Sequence, residues 1–134
     1  MTAELQEIRR TTKTIALIGA SNKPDRPSYR VMWFLLSNGY TVYPVNPSLH
    51  GQKILEQDVY VSLAECPAPV DMVDIFRNPA DAALVIDEAI ALRHSLEIKT
   101  IWCQLGIIPK EAAQRACDAG LTVVMDRCPA IEWR

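Results

Sequence analysis

The sequence lacks the residue patterns that build a metal centre or a disulfide framework. Its four cysteines, Cys66, Cys103, Cys117 and Cys128, include no Cys-x-x-Cys pair. Neither of its two histidines lies at a spacing that would complete a zinc site. We therefore expect free thiols in a reducing compartment and no bound metal.

Long hydrophobic runs and a positive net charge are also absent. No stretch approaches the roughly 20 apolar residues of a membrane span, and the opening MTAELQEIRR lacks the apolar segment and cleavage site of a secretory signal. A formal charge of -2 argues against general nucleic-acid binding. We expect a cytoplasmic protein with neither a membrane nor a nucleic acid as partner. A chain of 134 residues predicts a single domain over 1–134, in which 1–13 form a helical N-terminal extension.

The sequence does contain an alternation of apolar strands and amphipathic helices. Continuous apolar runs separated by helices predict an α/β, doubly wound, mostly parallel sheet of five to six strands with helices on both faces. A short edge strand between Ile54 and Tyr60 would be the sixth. The five main strands are predicted at Thr14–Ile18, Thr41–Val45, Asp71–Phe76, Thr100–Cys103 and Thr122–Met125.

Capping residues predict where the helices begin and end. Asn78 and Pro79 supply an N-cap and a proline at the first helical position. The other predicted helical segments run from a Ser28 cap to Gly39, from near Pro109 to just before Gly120, over Glu4 to Arg10, and from a short capping box at Ser62 to Glu65.

The order of the elements predicts a crevice at the carboxyl ends of the strands. Right-handed crossovers place the Asp71 strand on the opposite side of the first strand from the second. The turn at Gly19 and the turn from Phe76 to Pro79 then face each other. The helix after Gly19 offers unpaired N–H groups and its positive dipole end to an anion. Lys23, Arg26 and Arg30 gather nearby.

The residues at these turns do not match a dinucleotide-binding fingerprint. The turn from Gly19 to Ser28 has one glycine instead of G-x-G-x-x-G, and Asn46 stands near the place of the acid that closes the second strand. An acid there would oppose a phosphate on the ribose, whereas a neutral amide does not. This end of the crevice is therefore compatible with a ligand phosphorylated on its ribose.

Five blocks of the sequence together carry a family resemblance. They are Gly19-Ala-Ser21 with Pro27-Ser28, Tyr43-Pro-Val-Asn-Pro47 with Gly51, Val73-Asp-Ile-Phe-Arg77, Ile101-Trp-Cys-Gln-Leu-Gly106 and Val124-Met-Asp-Arg-Cys-Pro129. These blocks resemble the small stand-alone CoA-binding proteins and the CoA-binding domain of the succinyl-CoA synthetase alpha subunit. The resemblance implies a Rossmann-like fold, coenzyme A or an acyl-CoA as ligand, phosphates at the first turn, and adenosine at the loops after strand two and Phe76.

Carried over onto this chain, the resemblance assigns each ligand-binding role beside a plain structural alternative. Gly19, Ala20 and Ser21 would present backbone N–H groups and a hydroxyl to the pyrophosphate. Ser28 would touch phosphate or only cap the helix. Arg26 and Arg30 would bind phosphate or are plain surface residues, and Asn46 and Pro47 would flank the adenosine or only form a turn. Phe76, Arg77 and Asn78 would lie on the other side of the crevice, although Asn78 is rather a helix cap. Gln104 and Gly106 would border the pantetheine arm or only form a turn.

No catalytic machinery is apparent, so we expect a binding protein and no enzyme. His50 in a loop and His94 at a helix end are expected at the surface, and the synthetase's phosphorylated histidine lies in a further domain for which this chain has no room. Cys128, beside Arg127, is either a stabilised thiolate that exchanges with the CoA thiol or, as we favour, a buried inert thiol.

Three questions stay open at the level of sequence. The first alternative function is an NAD(P)-dependent oxidoreductase or nucleotide-sensing regulatory protein, since fold alone does not decide function. The second is a protein-interaction subunit with a vestigial crevice. Self-association or a partner enzyme is also open. The tryptophans Trp33, Trp102 and Trp133 are expected in the core or at a docking surface, and a self-association surface is an alternative place for Trp133.

Overall fold

The computed structural model describes residues 2–134, and its elements alternate as the sequence predicts. The predicted N-terminal helix is present, while Met1 of the predicted extension lies outside the described residues. The helices are α1 (Ala3–Thr11), α2 (Pro27–Ser37), α3 (Pro79–Leu92), α4 (Lys110–Asp118) and α5 (Pro129–Glu132), and the strands are β1 (Thr14–Ile18), β2 (Thr41–Val45), β3 (Lys53–Ile54), β4 (Gln57–Asp58), β5 (Met72–Ile75), β6 (Thr100–Cys103) and β7 (Thr122–Val124).

Five strands form one parallel sheet in the order β2-β1-β5-β6-β7. The chain runs from β1 to β2 on one side and returns to place β5 on the other, so the predicted doubly wound, Rossmann-like fold is confirmed. The predicted sixth strand is wrong. Leu55 and Glu56 have φ of 47° and 67°, so the chain turns back and pairs β3 with β4. Tyr60 alone bridges Val45 at the sheet edge.

Helices cover both faces of the sheet because successive strand residues point to opposite sides. Ile15 and Leu17 of β1 pack under α1 and α2, whereas Ala16 and Ile18 pack on the side of α3 and α4. The N-terminal helix α1 belongs to this packing, since its Leu5 and Ile8 are buried against the same cluster as α2. No helix of residues 2–134 is long and apolar enough to cross a membrane.

Two helix starts differ from the prediction. Pro27 begins α2 with Arg26 as N-cap, so Ser28 is buried in the first turn and is not the cap. Proline suits the first helical position, which moves the start one residue earlier than Ser28 predicts. Ser62 makes no capping hydrogen bond, and only a 3₁₀ turn follows it at Leu63–Glu65. Asn78 caps α3 as predicted, its side chain accepting from the Asp81 amide.

The C-terminal tryptophan is part of the core. Trp133 is 1% exposed, stacks on Tyr40 with ring centroids 5.5 Å apart, and meets Trp102 edge-on at 5.3 Å. The expected place of Trp133 in the core is therefore confirmed, and the alternative at a self-association surface is wrong because its ring is covered from within the chain. Trp33 lies outside the core and is 60% exposed.

Candidate functional site

A cavity of about 800 Å³ lies over the carboxyl ends of the parallel strands. Its volume is in the range of small-molecule sites, and its place is where doubly wound sheets bind ligands. All of the predicted ligand residues except Arg30 and Pro47 line it. The full wall is Gly19, Ala20, Ser21, Asn22, Lys23, Arg26, Pro27, Ser28, Val31, Asn46, Ser48, Leu49, Phe76, Arg77, Asn78, Pro79, Gln104, Leu105, Gly106, Ile107 and Cys128.

The turn after β1 and the turn after β5 touch at the centre of this cavity, as the topology predicts. Gly19 has a φ of +87°, and a Cβ at this position would lie 2.3 Å from the carbonyl oxygen of Phe76. No side chain other than hydrogen fits there without moving backbone. The glycine thus allows the two turns to approach and form one continuous wall.

The first two amides of the turn are not available to a ligand. The N–H groups of Gly19 and Ala20 both donate to the carbonyl oxygen of Val45, at 3.0 and 3.2 Å. The expectation that these two amides hold a pyrophosphate is therefore wrong. The turn bends toward the end of β2, where a strand carbonyl takes both donors.

The following amides are the ones left for an anion. Within residues 2–134, the N–H groups of Ser21, Asn22 and Ser28 have no hydrogen-bond partner, and all three residues line the cavity. Ser28 lies in the first turn of α2, where the helix dipole is positive and the Arg26 N-cap makes no side-chain capping bond. The Ser21 hydroxyl accepts from the Lys23 amide at 3.1 Å and keeps its own proton to donate. Anions bind at such helix starts.

Of residues 2–134, three cations and no carboxylate line the cavity. Lys23 and Arg26 are exposed on the turn before α2, and Arg77 faces them from the end of β5. The Arg77 guanidinium also reaches Asp81, with Nη2 3.9 Å from the carboxylate. Arg30 is not part of this group, because its guanidinium donates to the Asp25 carbonyl oxygen at 2.7 Å outside the cavity wall.

Asn46 connects the loops after β1 and β2. Its Nδ2 donates to the Ala20 carbonyl oxygen at 2.8 Å, and its Oδ1 accepts from the Ser48 amide at 2.9 Å. An aspartate could not donate the first of these bonds, which gives a structural reason why the acid of dinucleotide sites is missing. Pro47 begins a 3₁₀ turn and lines a smaller cavity of about 200 Å³ instead of the main one.

The loop after β6 adds apolar side chains to the cavity wall, and the sequence did not single them out. Leu105 and Ile107 lie on either side of Gly106 in the loop after β6. This loop is held by Asp126, whose Oδ1 accepts from the Gly106 amide at 2.7 Å. The signal in the sequence was the apolar run after Gln104, which resembles ordinary loop packing and has no motif of its own.

Cys128 lines the cavity as a protonated thiol. Burial raises its pKa, outweighing the hydrogen bonds from the Ala130 and Ile131 amides, and the charge of Asp74 raises the pKa further. A thiolate stabilised by Arg127 is therefore wrong, since the Arg127 guanidinium instead binds Glu132 at 2.9 Å. The buried thiol that we favoured is confirmed.

Comparison with known proteins identifies the family. A family model described as a CoA binding domain matches residues 13–134. This chain belongs to the CoA-binding domain family. The uncharacterized protein YneT of Bacillus subtilis (strain 168) is 34% identical over 126 residues, which cover 94% of this chain and 89% of that protein.

Two further proteins are similar to this chain. A hypothetical protein of known structure from Pyrococcus horikoshii OT3 is 36% identical with a TM-score of 0.89, covering 98% of this chain and 89% of that one. The ADP-forming acetate–CoA ligase II of Archaeoglobus fulgidus is 38% identical over 81 residues. That match covers 59% of this chain and 11% of the ligase. The chain is thus homologous to one region of a larger ligase.

Proposed function

We propose that this chain binds coenzyme A or an acyl-CoA in the cavity at the strand ends. The observation that carries the proposal is the charge of the wall. Lys23, Arg26 and Arg77 line it without any carboxylate, although the whole chain has a net charge of -2. A cavity that collects positive charge on an acidic protein favours an anionic ligand.

The distribution of groups along the cavity fits coenzyme A. The three cations and the free amides of Ser21, Asn22 and Ser28 lie together, and these are the donors that phosphates need. Leu105 and Ile107, from the loop after β6, add apolar surface to the same wall. Coenzyme A has the same division, with its phosphates on the nucleotide half and an uncharged arm that ends in the thiol.

We further propose that the chain binds this ligand without catalysing a reaction on it. His50 and His94 are exposed and neither lines the cavity. The Cys128 thiol stays protonated near neutral pH because burial raises its pKa. Incubating the protein with acetyl-CoA and measuring the released thiol tests this point. We expect no release above the rate without protein, whereas turnover would show an enzyme.

Calorimetric titration with coenzyme A, dephospho-CoA and NADH tests the ligand. We expect coenzyme A to bind more tightly than dephospho-CoA, because the ribose phosphate adds charge that the cations can pair. We expect NADH to bind more weakly than either. NADH binding without CoA binding would instead favour a dinucleotide-dependent function, and an absence of heat with all three ligands would favour a vestigial cavity.

A matched pair of arginine variants tests the place of binding. Removing a charge-assisted hydrogen bond to phosphate costs roughly 1.5–3 kcal/mol. Arg77 is half exposed and its guanidinium also pairs with Asp81. We therefore expect a cost at the lower end of this range for Arg77→Ala, which is about a tenfold weaker affinity for coenzyme A. Arg115→Ala is the control, because Arg115 pairs with Asp87 on the α3–α4 surface outside the cavity wall. Equal effects of the two substitutions would contradict binding at this cavity.

A further inference from the structure

A buried carboxyl group, that of Asp74, lies next to a residue of the cavity wall, and one of its two oxygens has no hydrogen-bond partner among residues 2–134. Asp74 is fully buried in the middle of β5, paired in register with Leu17 of β1 and Trp102 of β6. Its Oδ1 accepts from Nε2 of Gln104 at 2.7 Å. Its Oδ2 has no hydrogen-bond partner in the described part of the chain, 2–134. A buried carboxyl group in this state needs an explanation, because fold stability alone would favour an apolar residue at this position.

Gln104 connects this carboxyl group to the cavity. The Gln104 side chain is 5% exposed and belongs to the cavity wall. A carboxamide has a donor end and an acceptor end. Because Nε2 faces Asp74, Oε1 is the end that remains for a ligand. The reversed amide would place Oε1 against an ionised carboxylate, which is unfavourable.

We propose that Asp74 is a positioning residue that fixes the Gln104 carboxamide with its carbonyl oxygen toward the cavity, as the acceptor for an N–H group of the ligand. This inference rests on the proposed function. The amide groups of the pantetheine arm are the N–H donors of coenzyme A on the uncharged side of its phosphates. A protonated Asp74 can instead donate its O–H to Gln104 Oε1, which turns the amide over and presents an NH₂ group to the cavity.

The surroundings of Asp74 make this choice depend on pH near neutrality. Burial raises the pKa of Asp74 to about 7, against a smaller lowering by the Gln104 hydrogen bond. Two other titratable groups interact with its charge, the thiols of Cys103 on β6 and Cys128 after β7. Burial raises the pKa of both thiols, to about 12 for Cys103, so they stay neutral. The charge that changes around pH 7 is therefore that of Asp74.

Affinity measured against pH tests the proposal. Dephospho-CoA is the probe, because it keeps the arm and lacks the ribose phosphate, whose own titration would confuse the result. For the unaltered protein we expect binding to weaken about 2- to 10-fold as the pH falls from about 8.5 to about 5.5, because one hydrogen bond to the ligand is lost. For Asp74→Asn, which keeps the shape and cannot ionise, we expect an affinity that does not change with pH.

A second variant and a ligand-free signal complete the test. Gln104→Met removes the acceptor at similar length, and we expect it to bind weakly at every pH. In the unaltered protein the side-chain amide protons of Gln104 should shift in NMR spectra with a midpoint near the Asp74 pKa. The same pH profile in Asp74→Asn as in the unaltered chain would overturn the proposal, and so would unchanged affinity in Gln104→Met. If no CoA compound binds at any pH, the proposed function fails, whereas binding without this profile removes only the role of Asp74.

Discussion

The buried carboxyl group of Asp74 should make the protein less stable as the pH rises, and Asp74→Asn should reverse this. The folded-state pKa is raised from 3.8 to about 7. Between these values the folded chain holds a proton that the unfolded chain has released. The free energy of unfolding therefore falls with increasing pH, by about 1.4 kcal/mol per unit.

The full interval of about three units corresponds to roughly 4 kcal/mol, which is an upper limit because buried sites relax around a charge. The side chain is neutral in both the folded and the unfolded state only below about pH 3.8, and there aspartic acid and asparagine can each donate one hydrogen bond to Oε1 of Gln104. We therefore expect nearly equal stability at such low pH, and at about pH 5 an advantage of roughly 1–2 kcal/mol for Asp74→Asn. At about pH 8 only the aspartate carries a buried charge, so we expect Asp74→Asn to be more stable by about 2–4 kcal/mol.

Urea unfolding followed by circular dichroism from about pH 5 to about pH 8 measures this difference. Subtracting the two curves removes the contributions of every other titrating group, including the exposed pair of Glu7 and Arg10. A variant that is destabilised by the same amount at both pH values would refute the reasoning. Such a result would mean that the Asp74 carboxylate is ionised and satisfied in the folded protein.

Three further predictions follow from particular contacts. Gly19→Ala should destabilise the fold and abolish CoA binding, because its Cβ meets the Phe76 carbonyl oxygen; a normal thermal midpoint with intact binding would contradict this. Iodoacetamide should alkylate the exposed Cys117 well before the buried Cys128, as peptide mass spectrometry can show, and the opposite order would contradict a protonated Cys128. Burial alone would raise the pKa of Asp71, but hydrogen bonds from Lys13 and Thr14 and the charge of Lys99 outweigh it and lower the pKa. Asp71→Asn should therefore cost about 1–3 kcal/mol in urea unfolding at pH 7, and progressively less as the pH falls below 3.8, whereas an equal loss at every pH would contradict this.

The sheet could be predicted from the sequence because it depends on short-range patterns. Continuous apolar runs between helices mark a parallel sheet, and handedness then fixes the order of its strands. The prediction of a sixth strand was wrong because Leu55 and Glu56 adopt a left-handed turn that their residue types do not indicate. The partner of Trp133 in the core could not be predicted, because Trp102 is distant in sequence and no local pattern reports that contact.

The candidate site could be predicted as a place, and less well as a set of contacts. The turns at Gly19 and Phe76 meet because topology requires it. Which amides remain free depends on a carbonyl group of another strand, that of Val45, and this partner is set only by the folded geometry. Asp74 was visible as an acid inside an apolar strand. Its link to Gln104 spans 30 positions and could not be inferred from spacing.

Amide chemical shifts of ¹⁵N-labelled protein during titration with coenzyme A test the diphosphate site most directly. We expect the largest changes at the free N–H groups of Ser21, Asn22 and Ser28. The amides of Gly19 and Ala20, already bound to the Val45 carbonyl oxygen, should move less. Saturable changes at these three positions would support phosphate binding at the start of α2. No change there at millimolar coenzyme A, or changes confined to another surface, would contradict it.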